Sequence, residues 1–281
     1  MRLDRLLGSI EEFLPEKTAV DGDRIGLQIQ GNREEIKKIL ITLELNDQVI
    51  EEAVKLKNDC IISFHPLIYN PLYSITESNR VGRLITKLIQ NSIALIVIHT
   101  NFDAFSEGTS KILCDKLGLT FEDFLVPDDN MKNCGMGVIG RAKKPLTENE
   151  LLDKIQKITN SPLRYATGKS GKLLERIAIV GGSGTSFMNQ ALAKKTDAFI
   201  TADVSYHQFH AVKGEMTLID PGHYEMEQFV PEALMNLLAE KLDIKEIETI
   251  SLSEVHTNPV IYFPDYEYSQ KQKHFLLNKL V

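Results

Sequence analysis

Three short segments of the chain carry histidines and carboxylates in patterns that suit a metal site. They are residues 64–69 (FHPLIY), 99–103 (HTNFD) and 222–227 (GHYEME). Two of them directly follow an apolar run that is typical of a buried strand, and the third follows a shorter run. Imidazoles and carboxylates at the ends of neighbouring strands can converge on one point, and a divalent cation is the usual reason for such convergence. The pattern predicts a metal site and, as its first chemistry, metal-assisted hydrolysis.

His65 is the first candidate ligand. Pro66 removes a backbone donor and disfavours helix at His65, so a strand must end there and present the imidazole. A capped core histidine is equally compatible with this pattern.

The segment HTNFD offers a second set of polar groups directly after a strand, where open α/β sheets bind ligands. Asp103 can serve as a monodentate or bridging ligand. His99 can serve as a ligand, as an orienting group or as a proton shuttle. The alternative is a turn followed by a helix cap, which Asn101 and Asp103 would both suit.

His223 and Glu227 are four residues apart, so they share one face if the segment after Gly222 is helical. A helix commonly supplies two ligands to one metal in this way, although an exposed polar pair has the same spacing. Glu225 falls off that face. The helix is predicted to continue through Phe229 and further leucines.

Two further motifs leave alternatives open. The glycine-rich turn at residues 181–184 (GGSG) can cradle a phosphate, although it lacks the P-loop lysine and a plain tight turn is favoured. His207 and His210 follow the second half's polar strand end, so they can either reach the cleft of the predicted metal site or lie on the surface. The sequence contains no G-x-S-x-G motif, and no cysteine lies in the polar segments.

Composition limits the classes of protein. The chain has 281 residues, 43% hydrophobic and 25% charged, and its net charge of −7 argues against non-specific nucleic-acid binding. The longest apolar run, residues 93–98, is too short to cross a membrane. The acid-containing N-terminus predicts an amphipathic helix and no signal peptide. Three cysteines without metal-type spacing indicate reduced thiols and a cytoplasmic protein.

The elements that must position these residues occur twice. Strands are predicted at 38–42, 59–63 and 93–98, with helices at 47–57 and 81–90 between them. The second half restarts with strands at 176–180 and 197–201 joined by a helix. The spacing from Ile39 to Asp59 equals that from Ile177 to Asp197, and in this alignment His65 meets Asp203.

This repeat predicts an α/β fold of two related units with parallel or mixed sheets. The break is expected within residues 126–133, where proline, aspartate and asparagine interrupt the pattern. The predicted units are therefore 1–125 and 126–262, followed by a tail, 263–281, with helical character. A strand is expected at 135–141, and Thr147 with Glu150 predicts a capping box opening a helix over 151–158.

The order of these motifs resembles that of the NIF-three-like proteins, which are often named GTP cyclohydrolase I type 2 homologues. DRIGLQ (residues 23–28), HPLIY, HTNFD, IVGGSG, TAD with YH, and DPGHYEME carry the resemblance, which covers the chain to about Pro259. It implies two similar, intertwined α/β units, a dinuclear metal site in the cleft between them and a ring-shaped homohexamer.

The resemblance also assigns ligands. By it, His65, Asp103, His223 and Glu227 bind one or two divalent cations per chain, and the mixed donors suit zinc, manganese, iron or cobalt. The family usually has two histidines before the proline, whereas this chain has Phe64, so one metal position is expected to be weak, rebuilt or empty. The family also tends to have Asp where Glu44 stands.

Three functions follow as hypotheses. The first is a metal-dependent hydrolase acting on a nucleotide, another phosphoester or a small cyclic amide, in which the catalytic residue His99 orients the substrate or moves a proton. The second is a non-enzymatic metal-binding hub, which Phe64 favours slightly. The third, a nucleotide-binding module using the glycine-rich turn, ranks last. No membrane or sequence-specific nucleic-acid partner is expected.

Overall fold

A computed structural model describes residues 1–129, 131–242 and 246–262. Within them the helices are α1 Leu3–Phe13, α2 Asp47–Leu56, α3 Arg80–Gln90, α4 Thr100–Asp103, α5 Thr109–Lys116, α6 Glu148–Thr159, α7 Met188–Ala193, α8 Tyr206–Val212, α9 His223–Glu227 and α10 Val230–Lys241. The strands are β1 Gly26–Ile29, β2 Lys38–Thr42, β3 Cys60–Ser63, β4 Ala94–Val97, β5 Thr120–Pro127, β6 Gly135–Leu146, β7 Arg164–Ala166, β8 Leu174–Ile179, β9 Ala198–Ile200, β10 Thr217–Asp220 and β11 Thr249–Leu252.

The first compact unit comprises Met1–Phe105 and Phe229–Thr257. Its sheet has the order β1-β4-β3-β2-β11, with β1 antiparallel to β4 and the other pairs parallel. Helices α2 and α3 pack on this sheet in a core that includes Leu40, Ile61 and Leu95. Ile39 and Ile41, which alternate with Leu40, are also fully buried, so both faces of the sheet are covered.

The second unit comprises Ser106–Gln228 and resumes at Asn258. Its sheet has the order β5-β6-β8-β9-β10-β7, in which β8, β9 and β10 are parallel and the remaining pairs antiparallel. Ala178, Phe199 and Leu218 form the centre of its core. The two mixed sheets agree with the predicted α/β class.

The internal repeat is visible in the register of the strands. Ile39 pairs with Cys60 in the first unit, and Ile177 pairs with Ala198 in the second. The aspartate that precedes the middle strand also has the same role twice. Asp59 accepts hydrogen bonds from the N–H groups of residues 37 and 38, and Asp197 accepts them from those of residues 175 and 176.

The units divide the chain at other places than the predicted boundaries of 1–125, 126–262 and 263–281. The turn residues after Pro127 belong to the hairpin between β5 and β6, so they interrupt one sheet and do not separate two. The chain leaves the first unit after Phe105 and returns to it at Phe229, since α10 and β11 belong to that unit. The predicted helical tail lies outside the described residues.

Local predictions agree closely with the observed elements. Thr147 and Glu150 form the capping box, and α6 begins at Glu148, slightly before the predicted start. The helix after Gly222 is shorter than predicted, since α9 ends at Glu227 and α10 starts anew with Pro231 in its first turn. Among the described residues, none of the helices combines the length and apolar character needed to cross a membrane.

Candidate metal centre

His65 lies at the end of β3, the central strand of the first sheet. The strand ends at Ser63, but pairing continues for two residues, since the N–H of His65 donates to Leu43 O at 3.0 Å. Pro66 stops the pairing because it has no N–H to donate. The sequence therefore presents the imidazole at the strand end, where its side chain is 19% exposed rather than sealed in the core.

Glu44, which follows the neighbouring strand β2, orients this imidazole. His65 Nδ1 lies 3.0 Å from Glu44 Oε2, and Arg80 donates to Oε1 at 2.7 Å. Burial would raise the pKa of Glu44, but the hydrogen bonds from His65 and Arg80 outweigh it and lower that pKa. The ionised carboxylate favours the tautomer that carries its proton on Nδ1, and Nε2 is then the electron-pair donor.

His99 is held in the same way by Asp23. Nδ1 of His99 lies 3.0 and 2.9 Å from the two carboxylate oxygens, and Thr100 donates to Asp23 through its N–H and its hydroxyl. Burial would raise the pKa of Asp23, whose side chain is 4% exposed, but these hydrogen bonds hold that pKa well below its usual range. The ring of His99 is therefore firmly oriented beside the end of β4.

The remaining polar residues of HTNFD have different roles. Asn101 caps the start of α4, because its side chain accepts from the N–H of the N-cap residue His99 at 3.0 Å; it also donates to Leu14 O at 3.1 Å. Asp103 is half-buried and is the last residue of α4, whose N-cap is His99. The cap alternative therefore describes Asn101, whereas Asp103 lies at the other end of α4 and does not cap its start.

In the second unit, His223 and Glu227 lie on the same face of α9, as their spacing predicts. His223 Nε2 is 3.1 Å from Glu227 Oε2, while Nδ1 is 2.6 Å from Asp203 Oδ2. Asp203 stands just beyond β9 with a φ of 56°, a conformation that is costly for a residue with a Cβ. The carboxylate that orients His223 is thus positioned by a residue with a left-handed backbone conformation.

The two carboxylates give His223 the electrostatics of a cation site. Burial would lower the pKa of His223, but hydrogen bonds and charge from Asp203 and Glu227 raise it to about 10. The hydrogen bond from His223 in turn lowers the pKa of Asp203. In the metal-free protein a proton on the ring supplies the positive charge that a cation would supply.

The glycine-rich turn shapes this site and offers little for a phosphate. Gly181 N–H donates to Ser110 Oγ at 3.1 Å, and Gly184 N–H donates to Thr201 Oγ1 at 2.8 Å. A Cβ at Gly182, where φ is +60°, would come within 2.2 Å of Glu227 Oε1. The tight-turn alternative is therefore favoured, and the absence of a side chain at Gly182 lets Glu227 take its place.

Three other polar residues of the second unit have separate surroundings. Glu225 is buried, and Asn258 donates to its Oε1 at 2.8 Å. His207 and His210 are exposed on α8, where both rings contact the ring of Tyr206. The surface alternative thus describes these two histidines.

One arrangement recurs through both units. Three histidines direct Nδ1 to a carboxylate, and in two cases the carboxylate follows the strand adjacent to the one that precedes the histidine. Metal-ligating histidines are commonly held in this way, so the donor chemistry fits a divalent cation. Sequence reasoning did not identify the orienting roles of Asp23 and Asp203. A search for acids at the ends of strands adjacent to the histidine strands would have found Asp203.

Comparison with known proteins gives a single result across the chain. A family model described as Duf34/NIF3 (NGG1p interacting factor 3) matches residues 1–259. Proteins of Lactococcus lactis and Streptococcus pneumoniae, each named GTP cyclohydrolase 1 type 2 homolog, are 35% and 30% identical to this chain. Each alignment covers 92% of this chain and 98% of the relative.

A solved structure is similar over almost the full length. The Staphylococcus aureus protein SA1388 matches with a TM-score of 0.84 and 27% sequence identity, over 94% of this chain and 99% of that chain. The likeness therefore extends to both units and is not confined to the motifs around the histidines.

Proposed function

Because the chain belongs to the Duf34/NIF3 family, we propose that it binds a divalent cation through His65, Asp103, His223 and Glu227 and hydrolyses a nucleotide or a related small molecule. Two imidazoles and two carboxylates match the nitrogen and oxygen donors that zinc, manganese, iron and cobalt accept.

The observation that supports this proposal most strongly is the orientation of the two proposed imidazole ligands. Glu44 holds His65 and Asp203 holds His223, each through Nδ1. A histidine needed only for packing does not require an ionised acid at Nδ1, whereas a ligand benefits because the acid fixes the ring and raises its basicity. When bound, the cation would supply Lewis-acid polarisation of the substrate and a more acidic water.

His99 has the surroundings of a proton carrier. Asp23 fixes its ring and would stabilise the imidazolium that forms when His99 accepts a proton, because the ionised carboxylate stays beside Nδ1. We assign His99 the role of taking a proton from the attacking water and returning it to the leaving group. Thr100 contributes by holding Asp23 with two hydrogen bonds.

The name of the relatives, which refers to GTP cyclohydrolase, supports a nucleotide as the proposed substrate. A guanine nucleotide is therefore the first substrate to test, and opening of its ring would require hydrolytic attack at a purine carbon. Phosphoesters and small cyclic amides would suit the same donors.

The test is turnover of a nucleotide panel by protein loaded with each candidate cation. Hydrolysis that is lost in Asp103→Ala and in His99→Ala, but kept in the exposed control His210→Ala, would support the enzyme. The two variants should differ in metal content, because Asp103 is a proposed ligand and His99 is not. Metal-loaded protein that is inert across the whole panel would contradict a hydrolase.

A second candidate function is a non-enzymatic metal-binding hub. Phe64 favours it, because a side chain without a donor stands where the family pattern usually has an imidazole. Inert but metal-loaded protein would favour this function. The homohexamer implied by the resemblance and the cytoplasmic location indicated by the cysteines stay predictions.

A further inference from the structure

Phe64 is packed among the groups that surround the proposed ligand His65. Its side chain is fully buried. The centre of its ring lies 5.2 Å from the ring of His65, 5.2 Å from that of His99 and 6.4 Å from that of Phe102. A side chain at position 64 thus lies beside both imidazoles, and here it offers carbon and hydrogen only.

The proposed donors suffice for one cation without any sharing. Catalytic sites commonly use three protein ligands for each metal and keep one position open. Two imidazoles and two carboxylates could reach that number for two cations only if both carboxylates bridged. His99, the proposed proton carrier, is not counted among these donors, and the centre of its ring lies 5.2 Å from that of Phe64.

A second cation beside Phe64 would also lack hydration. A fully buried ring leaves no room for the water that completes a coordination shell, and a charge without compensating ligands is costly in such surroundings. Where the family pattern has a polar histidine, this chain therefore has an apolar ring packed against His65, His99 and Phe102.

We propose that this chain binds one divalent cation and not two, and that the ring of Phe64 fills the space of the imidazole that a second cation would need. This inference rests on the proposed function, because it presupposes that His65 is a ligand. It concerns this chain's own departure from the family pattern, and it predicts that one substitution creates a second site.

The experiment is a cobalt titration of metal-free protein, followed through the visible absorption of the bound ion, with elemental analysis as a second measure. Wild type should saturate at one equivalent per chain. Phe64→His should saturate at two. The matched control Phe64→Leu, which keeps an apolar side chain although a smaller one, should remain at one.

Each result decides something different. Wild type that binds two equivalents would overturn the inference and leave the proposed metal site intact, whereas wild type that binds none would overturn the proposed function itself. Folded Phe64→His that stays at one equivalent would show that Phe64 does not limit the count. If Phe64→His fails to fold, paramagnetic resonance of manganese-loaded wild type still decides, because a pair of coupled manganese ions would contradict a single site.

Discussion

The two units place different chemistry at the same point of a shared scaffold. His65 and Asp203 each stand three residues beyond equivalent isoleucines, Ile62 and Ile200, which occupy matching register positions. In the first unit this position holds the imidazole, and its orienting acid follows the preceding strand. In the second it holds the orienting acid, and the imidazole, His223, follows the next strand.

The surroundings of the proposed ligands His65 and His223 also differ. His65 and His99 lie among aromatic rings, with their acids drawn from separate parts of the chain. His223 and Glu227 come from a single turn of helix and depend on close backbone approach at Gly182. The two units thus use the same strand ends to position polar groups, but a different polar group stands at each of these positions.

The largest effect is expected at Gly182, a feature of the second unit alone. In Gly182→Ala the new Cβ would displace the Glu227 carboxylate, so metal affinity should fall by about 100-fold or more. Gly214→Ala is the matched control, because φ there is +84° and no atom lies within 4 Å of an added Cβ. The control should lose stability only, as measured by denaturant unfolding and cobalt titration. Equal metal affinity in both variants would count against the role of Gly182.

The orienting acids allow a direct comparison of the units. Glu44→Gln and Asp203→Asn remove the charge that holds His65 and His223, so each should weaken metal binding by about 10- to 100-fold. Asp23→Asn should leave metal affinity unchanged and lower turnover, since Asp23 holds His99. A loss of metal in Asp23→Asn as large as in Asp203→Asn would instead make His99 a ligand.

The shared scaffold predicts equal losses of stability at Asp59 and Asp197, the two aspartates that precede equivalent strands. Asp59→Ala and Asp197→Ala each leave two backbone N–H groups without their carboxylate, which should lower the free energy of unfolding by about 1–3 kcal/mol. The exposed control Asp153→Ala should change it by less than about 0.5 kcal/mol. A large difference between Asp59→Ala and Asp197→Ala would mean that the two units share the hydrogen-bond geometry but not its contribution to stability.

The smallest effect is a dependence of metal affinity on pH. In the metal-free protein the pKa of His223 is raised to about 10, so a cation that binds at pH 8 must displace one proton. Affinity should therefore rise about tenfold per pH unit toward pH 10. The stability that the imidazolium gives the metal-free protein is fully present below the ordinary pKa of histidine and is lost as pH rises through 10. Calorimetry in buffers of different ionisation enthalpy measures the released proton, and binding without release would contradict the raised pKa.

The sequence predicted local elements and strand-end residues well, because both depend on short-range patterns. Alternation of apolar strands with helices identified the repeat, and the spacing of His223 and Glu227 placed them on one face. The unit boundaries could not be read, because Pro127 marks a hairpin as readily as a junction, and the return of β11 to the first sheet is a long-range pairing. The role of Asp23 was missed for the same reason, since it meets His99 from a distant segment.

The central claim is that His65 and His223 bind the same cation. Elemental analysis of protein purified without chelators, for wild type, His65→Ala, His223→Ala and the control His210→Ala, tests it most directly. Wild type and the control should each contain one cation per chain, and both alanine variants should contain almost none. A full complement of metal in either His65→Ala or His223→Ala would contradict the account.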